Sequence, residues 1–137
     1  ITFRYEIPDY ALVGDRELLL KPMVMNNLYT SVLSFLRIDT GLETRQYGFR
    51  DACSRLVELD ETIALPRGYR LAGEPRSEQK AAPAADFEGS LQQVGNKLVL
   101  KQKLALKKRI YRAADWEGFR AAVNAYKSFA DYLIVKL

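Results

Sequence analysis

The sequence predicts a mainly β fold: an antiparallel β-sandwich with one C-terminal α-helix packed on it, ending in a short strand. Three observations support this prediction. Apolar and charged residues alternate with a period of two over much of the chain, as in strands with one buried face. A Gly95-Asn96 pair separates two such segments, which is typical of a tight hairpin turn. Near the C-terminus the apolar spacing changes to three and four residues, which indicates one amphipathic helix.

The length and composition fit one globular domain. The chain has 137 residues, of which 48% are hydrophobic and 28% charged. We therefore expect residues 1–137 to form a single β-sandwich-like domain. Because the chain starts without methionine and both ends carry patterned apolar residues, we expect a fragment of a larger multidomain protein. The longest uncharged stretch, residues 22–36, is shorter than the ~20 apolar residues that a membrane helix needs, so no membrane span is predicted.

The N-terminal third predicts strands followed by a segment that is either a helix or an irregular crossover. Alternating apolar residues predict a strand over residues 1–7. An extended run at 10–13, a turn at Gly14-Asp15 and a second run at 16–21 predict a hairpin. Apolar residues between 23 and 36 repeat at three and four, which favours a helix. Because Asn, Thr, Ser and Val are weak helix formers and no glycine follows until Gly41, an irregular crossover stays open as the alternative.

The middle of the chain predicts further strands and one loop. Residues 56–65 are rich in Leu, Val and Ile and predict one or two strands, and residues 69–72 predict another. The stretch 74–85 is rich in Pro, Ala and charge and predicts an exposed loop, because it cannot bury an apolar face. Residues 87–94 and 97–111 predict the two arms of the Gly95-Asn96 hairpin.

A helix and a strand are predicted to close the chain. Asp115 is a candidate N-cap, because its carboxylate can accept a hydrogen bond from an amide in the first turn. An apolar stripe follows at helical spacing, formed by Trp116, Phe119, Val123, Tyr126 and Ala130. This spacing favours packing against a sheet over an exposed aromatic platform for sugar. Residues 132–137 then predict a short strand.

The second arm of the hairpin carries the candidate binding residues. Its leucines and Ile110 share one parity and predict a core face. The residues of opposite parity predict a cationic row on the other face, formed by Lys97, Lys101, Lys103, Lys107 and Arg109. Lys108 and Arg112 extend it, so the strand face 97–112 is predicted to be basic. A polysaccharide or another polyanion could bind there. The alternative is that these lysines only protect an exposed strand from aggregation.

The residue types argue against catalysis within this chain. The sequence has no histidine and one cysteine, Cys53, which excludes Ser-His-Asp and Cys-His chemistry and an internal disulfide. No zinc ligand set and no cofactor motif are present, and none is predicted. Ser77 and Lys80 have the Ser-x-x-Lys spacing, but within a predicted loop, and Glu58 and Asp60 form an acid pair typical of a solvated strand face. A net charge of +4 is too small to imply nucleic acid. We predict that the chain is not an enzyme.

From about residue 45 the order of motifs resembles a bacterial domain family. The residues that carry the resemblance are Arg45, Tyr47, Phe49, Leu65-Pro66-Arg67-Gly68-Tyr69, Pro75, Phe87, Gly95-Asn96, Asp115 to Phe119 and Ile134 to Leu137. They resemble the C-terminal β-domain of unknown function that follows a transglutaminase-like domain in secreted proteins of Bacteroidetes-type bacteria. The resemblance implies a periplasmic or extracellular location, the transglutaminase-like domain of the same chain as partner, and a non-catalytic accessory or interaction role. A carbohydrate- or polyanion-binding module is the alternative.

Overall fold

The computed structural model describes residues 2–23 and 39–137. The strands in this part are β1 (Leu12–Val13), β2 (Glu17–Leu20), β3 (Phe49–Arg50), β4 (Arg55–Ala64), β5 (Arg70–Leu71), β6 (Arg76–Ala81), β7 (Ala85–Val94), β8 (Lys97–Leu106), β9 (Ile110–Tyr111) and β10 (Leu133–Lys136). A 3-10 turn at Ala113–Asp115 leads into the helix α1 (Trp116–Phe129). The predicted mainly β class, with antiparallel sheets, one C-terminal helix and a short closing strand, is confirmed.

Strands β4, β8, β7 and β6, in that order, form a four-stranded antiparallel sheet, called here the long sheet. Its centre is the predicted hairpin, in which Val94 pairs with Lys97 and Ala85 with Leu106. The turn residue Gly95 has a φ of 61°, a conformation that glycine adopts without steric cost. Because side chains alternate along each strand, the sheet has a buried inner face and an exposed outer face. The largest inner-face side chains are Phe87, Leu91, Leu98, Leu100, Leu104 and Leu106.

The inner face is covered by α1, which lies mainly over β7 and extends over β6 and β8. The predicted apolar stripe is buried as far as Tyr126, and Phe129 continues it at the end of the helix. The ring of Phe87 lies 6.3 Å from that of Tyr126 and 5.5 Å from that of Phe129. Burial of this helix face excludes the alternative of an exposed sugar platform. Burial also raises the pKa of the Tyr126 phenol to about 12.

A second antiparallel sheet has the strand order β1-β2-β10-β5. Its buried residues belong to the same hydrophobic core as the long sheet and α1; they are Leu18, Leu20, Leu133 and Val135. The short strands β3 and β9 form a separate pair, in which the rings of Phe49 and Tyr111 stack with centroids 4.7 Å apart. The ring of Phe119 lies within 5.0 Å of both, measured between centroids. One core therefore unites all three sheets with the helix.

Two predictions about the edges of the fold are wrong. Residues 2–7 form no strand and are exposed. Their side chains alternate as in a strand, but none of the described strands pairs with them. The stretch 74–85, predicted as a loop, contains β6, which pairs with β7 from Arg76↔Leu91 to Ala81↔Asp86. This strand lies at the edge of the sheet, where main-chain hydrogen bonds with β7 hold a segment that buries almost no side chain.

Three further predictions need correction or lie outside the described part. The arm 97–111 is interrupted after Leu106, so Ile110 is exposed and Tyr111 takes the buried position instead. Asp115 does precede α1, but its carboxylate accepts from the backbone amide of Arg112 rather than from one in the first turn of the helix. The predicted helix or crossover at 23–36 lies outside the described residues except for its first residue.

The contact between β7 and α1 predicts the effect of replacing Gly89. An alanine Cβ there would lie 2.5 Å from Cζ of Phe87 and 3.1 Å from Cζ of Phe129. Both rings are fully buried, so we expect Gly89→Ala to lower the free energy of unfolding by about 1–3 kcal/mol in urea denaturation. Ser90→Ala, on the other face of the same strand, is the matched control and should change it by less than about 0.5 kcal/mol.

Candidate binding surface

The predicted cationic row is divided by the end of β8. Lys97, Lys101 and Lys103 are exposed on the outer face of the long sheet. Lys107 and Arg109 follow the strand, in the segment that leads to β9. The structure therefore brings the first three together in one row and places the last two beyond its end.

Carboxylates from both neighbouring strands lie beside the central lysines. Lys103 lies between Glu58 of β4 and Glu88 of β7 in the register of the sheet, and its Nζ is 2.9 Å from Oε1 of Glu58. The hydrogen bond that Lys103 donates to Glu58 raises the pKa of Lys103. Lys101 lies opposite Asp60 in the same way. The outer face is thus a mixed-charge surface.

The residues after β8 have partners as well. Nζ of Lys107 lies 2.6 Å from Oδ2 of Asp86 and donates to the carbonyl of Ala82 at 3.1 Å. The hydrogen bond from Lys107 lowers the pKa of Asp86. The carbonyl of Arg109 accepts from the amide of Asp51, which fixes the backbone there. That these cations form a binding site for a polyanion stays a prediction, and the neighbouring carboxylates weigh against it.

The candidate reactive groups are not assembled. Ser77 lies opposite Ser90 on the outer face, whereas Lys80 lies opposite Phe87 on the inner-face side of the sheet, so the pair points in opposite directions. Glu58 and Asp60 share the outer face, as predicted, but each lies opposite a lysine. Cys53 is exposed. Within residues 2–23 and 39–137 no group of three potential metal ligands occurs, and no helix there is long and apolar enough to span a membrane.

An arginine and a loop hold the start of α1 in place. The guanidinium of Arg45 lies 4.3 Å from the ring centroid of Trp116 and 4.7 Å from that of Phe49. Nε1 of Trp116 donates to the carbonyl of Leu42 at 3.0 Å, and Nε of Arg120 donates to that of Thr40 at 2.8 Å. These contacts attach residues 39–49 to the helix, so we assign Arg45 a structural role.

Sequence reasoning missed an exposed apolar surface on the second sheet. Leu12, Leu19 and Ile134 lie opposite one another on three adjacent strands, and Tyr132 directly precedes β10. These four residues are called here the apolar strip. Leu12 is 65% exposed, Tyr132 50% and Ile134 43%, while Leu19 is half-buried. The signal was present in the runs Leu18-Leu19-Leu20 and Leu133-Ile134-Val135, which are apolar on both faces of a strand.

The segment before β1 continues this apolar character. Phe3, Tyr5 and Ile7 are exposed. The hydroxyl of Tyr5 donates to Oε1 of the buried Glu61 at 3.2 Å, and that of Tyr10 donates to the carbonyl of Lys21 at 2.9 Å. Burial, together with Glu61, raises the pKa of Tyr5 to about 12. The segment is therefore held by its tyrosine hydroxyls at two places and presents the apolar side chains of Phe3 and Ile7 to solvent.

Comparisons with known proteins give a family and a fold. The family described as "Domain of Unknown Function with solved-structure structure (DUF3858)" matches residues 16–135. The crystal structure of a "putative protease" from Parabacteroides distasonis is similar to 90% of this chain, with a TM-score of 0.72 and 14% sequence identity. The chain corresponds to 24% of the length of that protein. No curated protein matches the sequence.

The charge pairing on the outer face predicts weak binding of polyanions. We expect the unmodified chain to elute early from a heparin column, because carboxylates lie beside Lys101 and Lys103. The triple variant Glu58→Gln, Asp60→Asn, Glu88→Gln should elute at higher salt and show a steeper dependence of affinity on salt.

A matched control separates this local effect from net charge. The variant Glu6→Gln, Glu43→Gln, Glu74→Gln removes three exposed carboxylates elsewhere, and we expect a smaller shift in elution. Tight binding by the unmodified chain that disappears when Lys101, Lys103 and Lys107 are changed to Gln would contradict our interpretation and support a polyanion site.

Proposed function

We propose that this chain, which belongs to the DUF3858 family of domains of unknown function, is a non-catalytic accessory domain of a larger bacterial envelope protein. The observation that carries the proposal is that the candidate reactive groups are not brought together: Ser77 and Lys80 lie on opposite faces of β6, and Glu58 and Asp60 each lie opposite a lysine. The directions of the pKa shifts agree with it. Asp86 and Asp115 have lowered pKa values, Lys103 has a raised one, and Tyr5 and Tyr126 are raised to about 12. Each shift moves the pKa away from neutrality.

Acid-base catalysis needs the opposite change. A general acid or base works best with a pKa near the working pH, so active sites move carboxylates up and lysines down. At neutral pH Asp86 and Lys103 are already charged and Tyr126 already neutral at their ordinary pKa values, and the shifts move each pKa further from that pH. These groups stabilise the fold and are poorly suited to transfer protons. Chemistry in the parent protein would then belong to another domain.

The fold comparison supports placement within a longer chain. In the Parabacteroides distasonis protein, described as a "putative protease", this fold accounts for 24% of the polypeptide. We propose a similar arrangement here, with a transglutaminase-like domain as the neighbour, as the sequence resemblance implies. The same resemblance supports a periplasmic or extracellular location. The domain would act by packing and surface recognition.

The proposal predicts that the isolated chain has no turnover. Residues 1–137 and the full-length parent protein should be compared at equal concentration, with peptide hydrolysis and glutamine-amine acyl transfer as readouts. We expect activity from the parent and none from the fragment. Activity that stays with residues 1–137 after repeated purification would contradict the proposal.

A second variant shows where activity in the parent protein resides. We expect the parent carrying Ser77→Ala and Lys80→Ala to keep its activity, because both side chains are exposed and point to opposite faces of β6. A loss of activity without a loss of stability would place a catalytic group in this domain and would overturn the proposal.

A further inference from the structure

We propose that this protein forms a dimer in which the outer edge of β6 pairs with the same edge of a second copy. The two strands run antiparallel about a two-fold axis at Gln79, and the long sheet continues across the contact with four strands from each copy. The inference goes beyond the proposed function and does not depend on it. It names an interaction surface and the partner that fits it.

The outer edge of β6 is accessible. Among the described strands β6 pairs only with β7, and all its residues are exposed except the half-buried Glu78. The register with β7 is continuous from Arg76 to Ala81, so no bulge turns the edge away from a partner. An edge strand of this kind presents main-chain N–H and C=O groups with which another strand can pair.

The hydrogen bonds to β7 determine which main-chain groups point to the outer edge. The amide of Ala82 donates to the carbonyl of Ala85 at 3.1 Å, and these two residues continue the register of the strands. In an antiparallel pair, hydrogen-bonded positions alternate with positions whose main-chain groups point the other way. The even-numbered residues of β6 therefore bond to β7. The residues whose main-chain groups point to the outer edge are Ser77, Gln79 and Ala81.

The charges of β6 select one register for a symmetric pair. Outward-pointing residues must lie opposite each other, so the two-fold axis must pass through a residue and not between two residues. With the axis at Glu78 or at Lys80, that residue would lie opposite its own copy, and like charges directly opposite are destabilising. With the axis at Gln79, Glu78 of each copy lies opposite Lys80 of the other. An axis nearer either end would leave fewer residues paired.

The two opposite charges would meet at the closest positions of the new pair. Glu78 and Lys80 occupy its non-hydrogen-bonded positions, where side chains of neighbouring strands come nearest. Within one copy, Nζ of Lys80 lies 3.3 Å from Oε1 of Glu78, and the two side chains are 45% and 33% exposed. In the dimer each charge therefore has an opposite charge beside it, both along its own strand and across the contact.

The prolines beside β6 fit the same register. Pro75 and Pro83 lie at equal distances in sequence from Gln79, one before the strand and one after it. Proline has no N–H and cannot donate to a neighbouring strand. With the axis at Gln79, Pro75 of one copy lies opposite Pro83 of the other, so no residue between them faces a proline. The paired segment is then 76–82 in both copies.

The helix α1 leaves room for the second copy. The two-fold axis is perpendicular to the sheet, so both helices lie on the same face. At one end of the flank over β6, a Cβ on Gly118 would lie 2.5 Å from Cβ of Ala82; at the other end, Arg76 donates to the hydroxyl of Ser128 at 3.3 Å. The residues between Gly118 and Ser128 on this flank are also small: Ala121 and Ala125.

Charge reversal tests the contact by sedimentation equilibrium. We expect residues 1–137 to show a concentration-dependent equilibrium between monomer and dimer. Lys80→Glu places two glutamates opposite each other at both symmetric positions and should raise the Kd by about tenfold or more. The double variant Glu78→Lys, Lys80→Glu exchanges the two charges and should restore the Kd. Lys97→Glu, at an exposed position of β8 with the same change in net charge, is the matched control and should leave the Kd unchanged.

Disulfide cross-linking tests the position of the axis. In a Cys53→Ser background, Gln79→Cys places two thiols opposite each other with Cα atoms about 5.5 Å apart, within the range of a disulfide. Ser77→Cys, on the same face of the strand, is the matched control, because its copy would lie opposite Ala81 instead. We expect oxidation to link the Gln79→Cys variant at least about tenfold faster than the Ser77→Cys variant.

Three results would overturn the proposal. The first is a chain that sediments as a monomer at every concentration. The second is a dimer whose Kd is unchanged by Lys80→Glu, or is raised by it and not restored by the double variant, because such a dimer would use another surface. The third is equally fast cross-linking of the two cysteine variants. Urea denaturation shows whether each variant is folded, and the cross-linking result decides if Lys80→Glu is not.

Discussion

The packing of α1 on the inner face of the long sheet is the contact on which the rest of the structure depends. Phe87 and Phe129 meet over Gly89, where the absence of a side chain lets the rings approach the strand. The buried helix stripe covers β7, and the second sheet adds Leu18, Leu20, Leu133 and Val135 to the same core. Because the inner face is occupied in this way, the outer face is left to solvent, and its charged residues are those of an exposed surface.

The sequence predicted the parts of the fold that local patterns determine. The Gly95-Asn96 hairpin, the alternation in β8 and the stripe on α1 each depend on neighbouring residues, and all three were found. The edge strand β6 was missed, because its stability comes from main-chain pairing with β7 rather than from a buried side-chain pattern. Residues 2–7 had the alternation of a strand without a partner. The break after Leu106, which moves Lys107 and Arg109 off the cationic row, lies where the pairing of β8 with β4 and β7 ends, and β9 then pairs with β3.

The two sheets differ in what they present to solvent. On the long sheet, Glu58 and Asp60 lie beside lysines, so charges of opposite sign are paired on this surface. On the second sheet, Leu12 and Ile134 expose apolar area. A surface with paired charges is typical of one that faces water, whereas contiguous exposed apolar surface is less common on such a face. The alternation in the sequence predicts the row of lysines on β8. The apolar row depends on the register between β1, β2 and β10, which the sequence does not show.

We expect the stability of the fold to reside in the long sheet and α1, and the second sheet, with the segment before it, to open more readily. Native-state hydrogen exchange on residues 1–137 tests this claim directly. We expect the backbone amides that exchange most slowly to lie in β7, β8 and the middle of α1, and those of β1 and residues 2–11 to exchange faster. Slowest exchange in β1, β2 and β10, with β7 and β8 opening first, would contradict it.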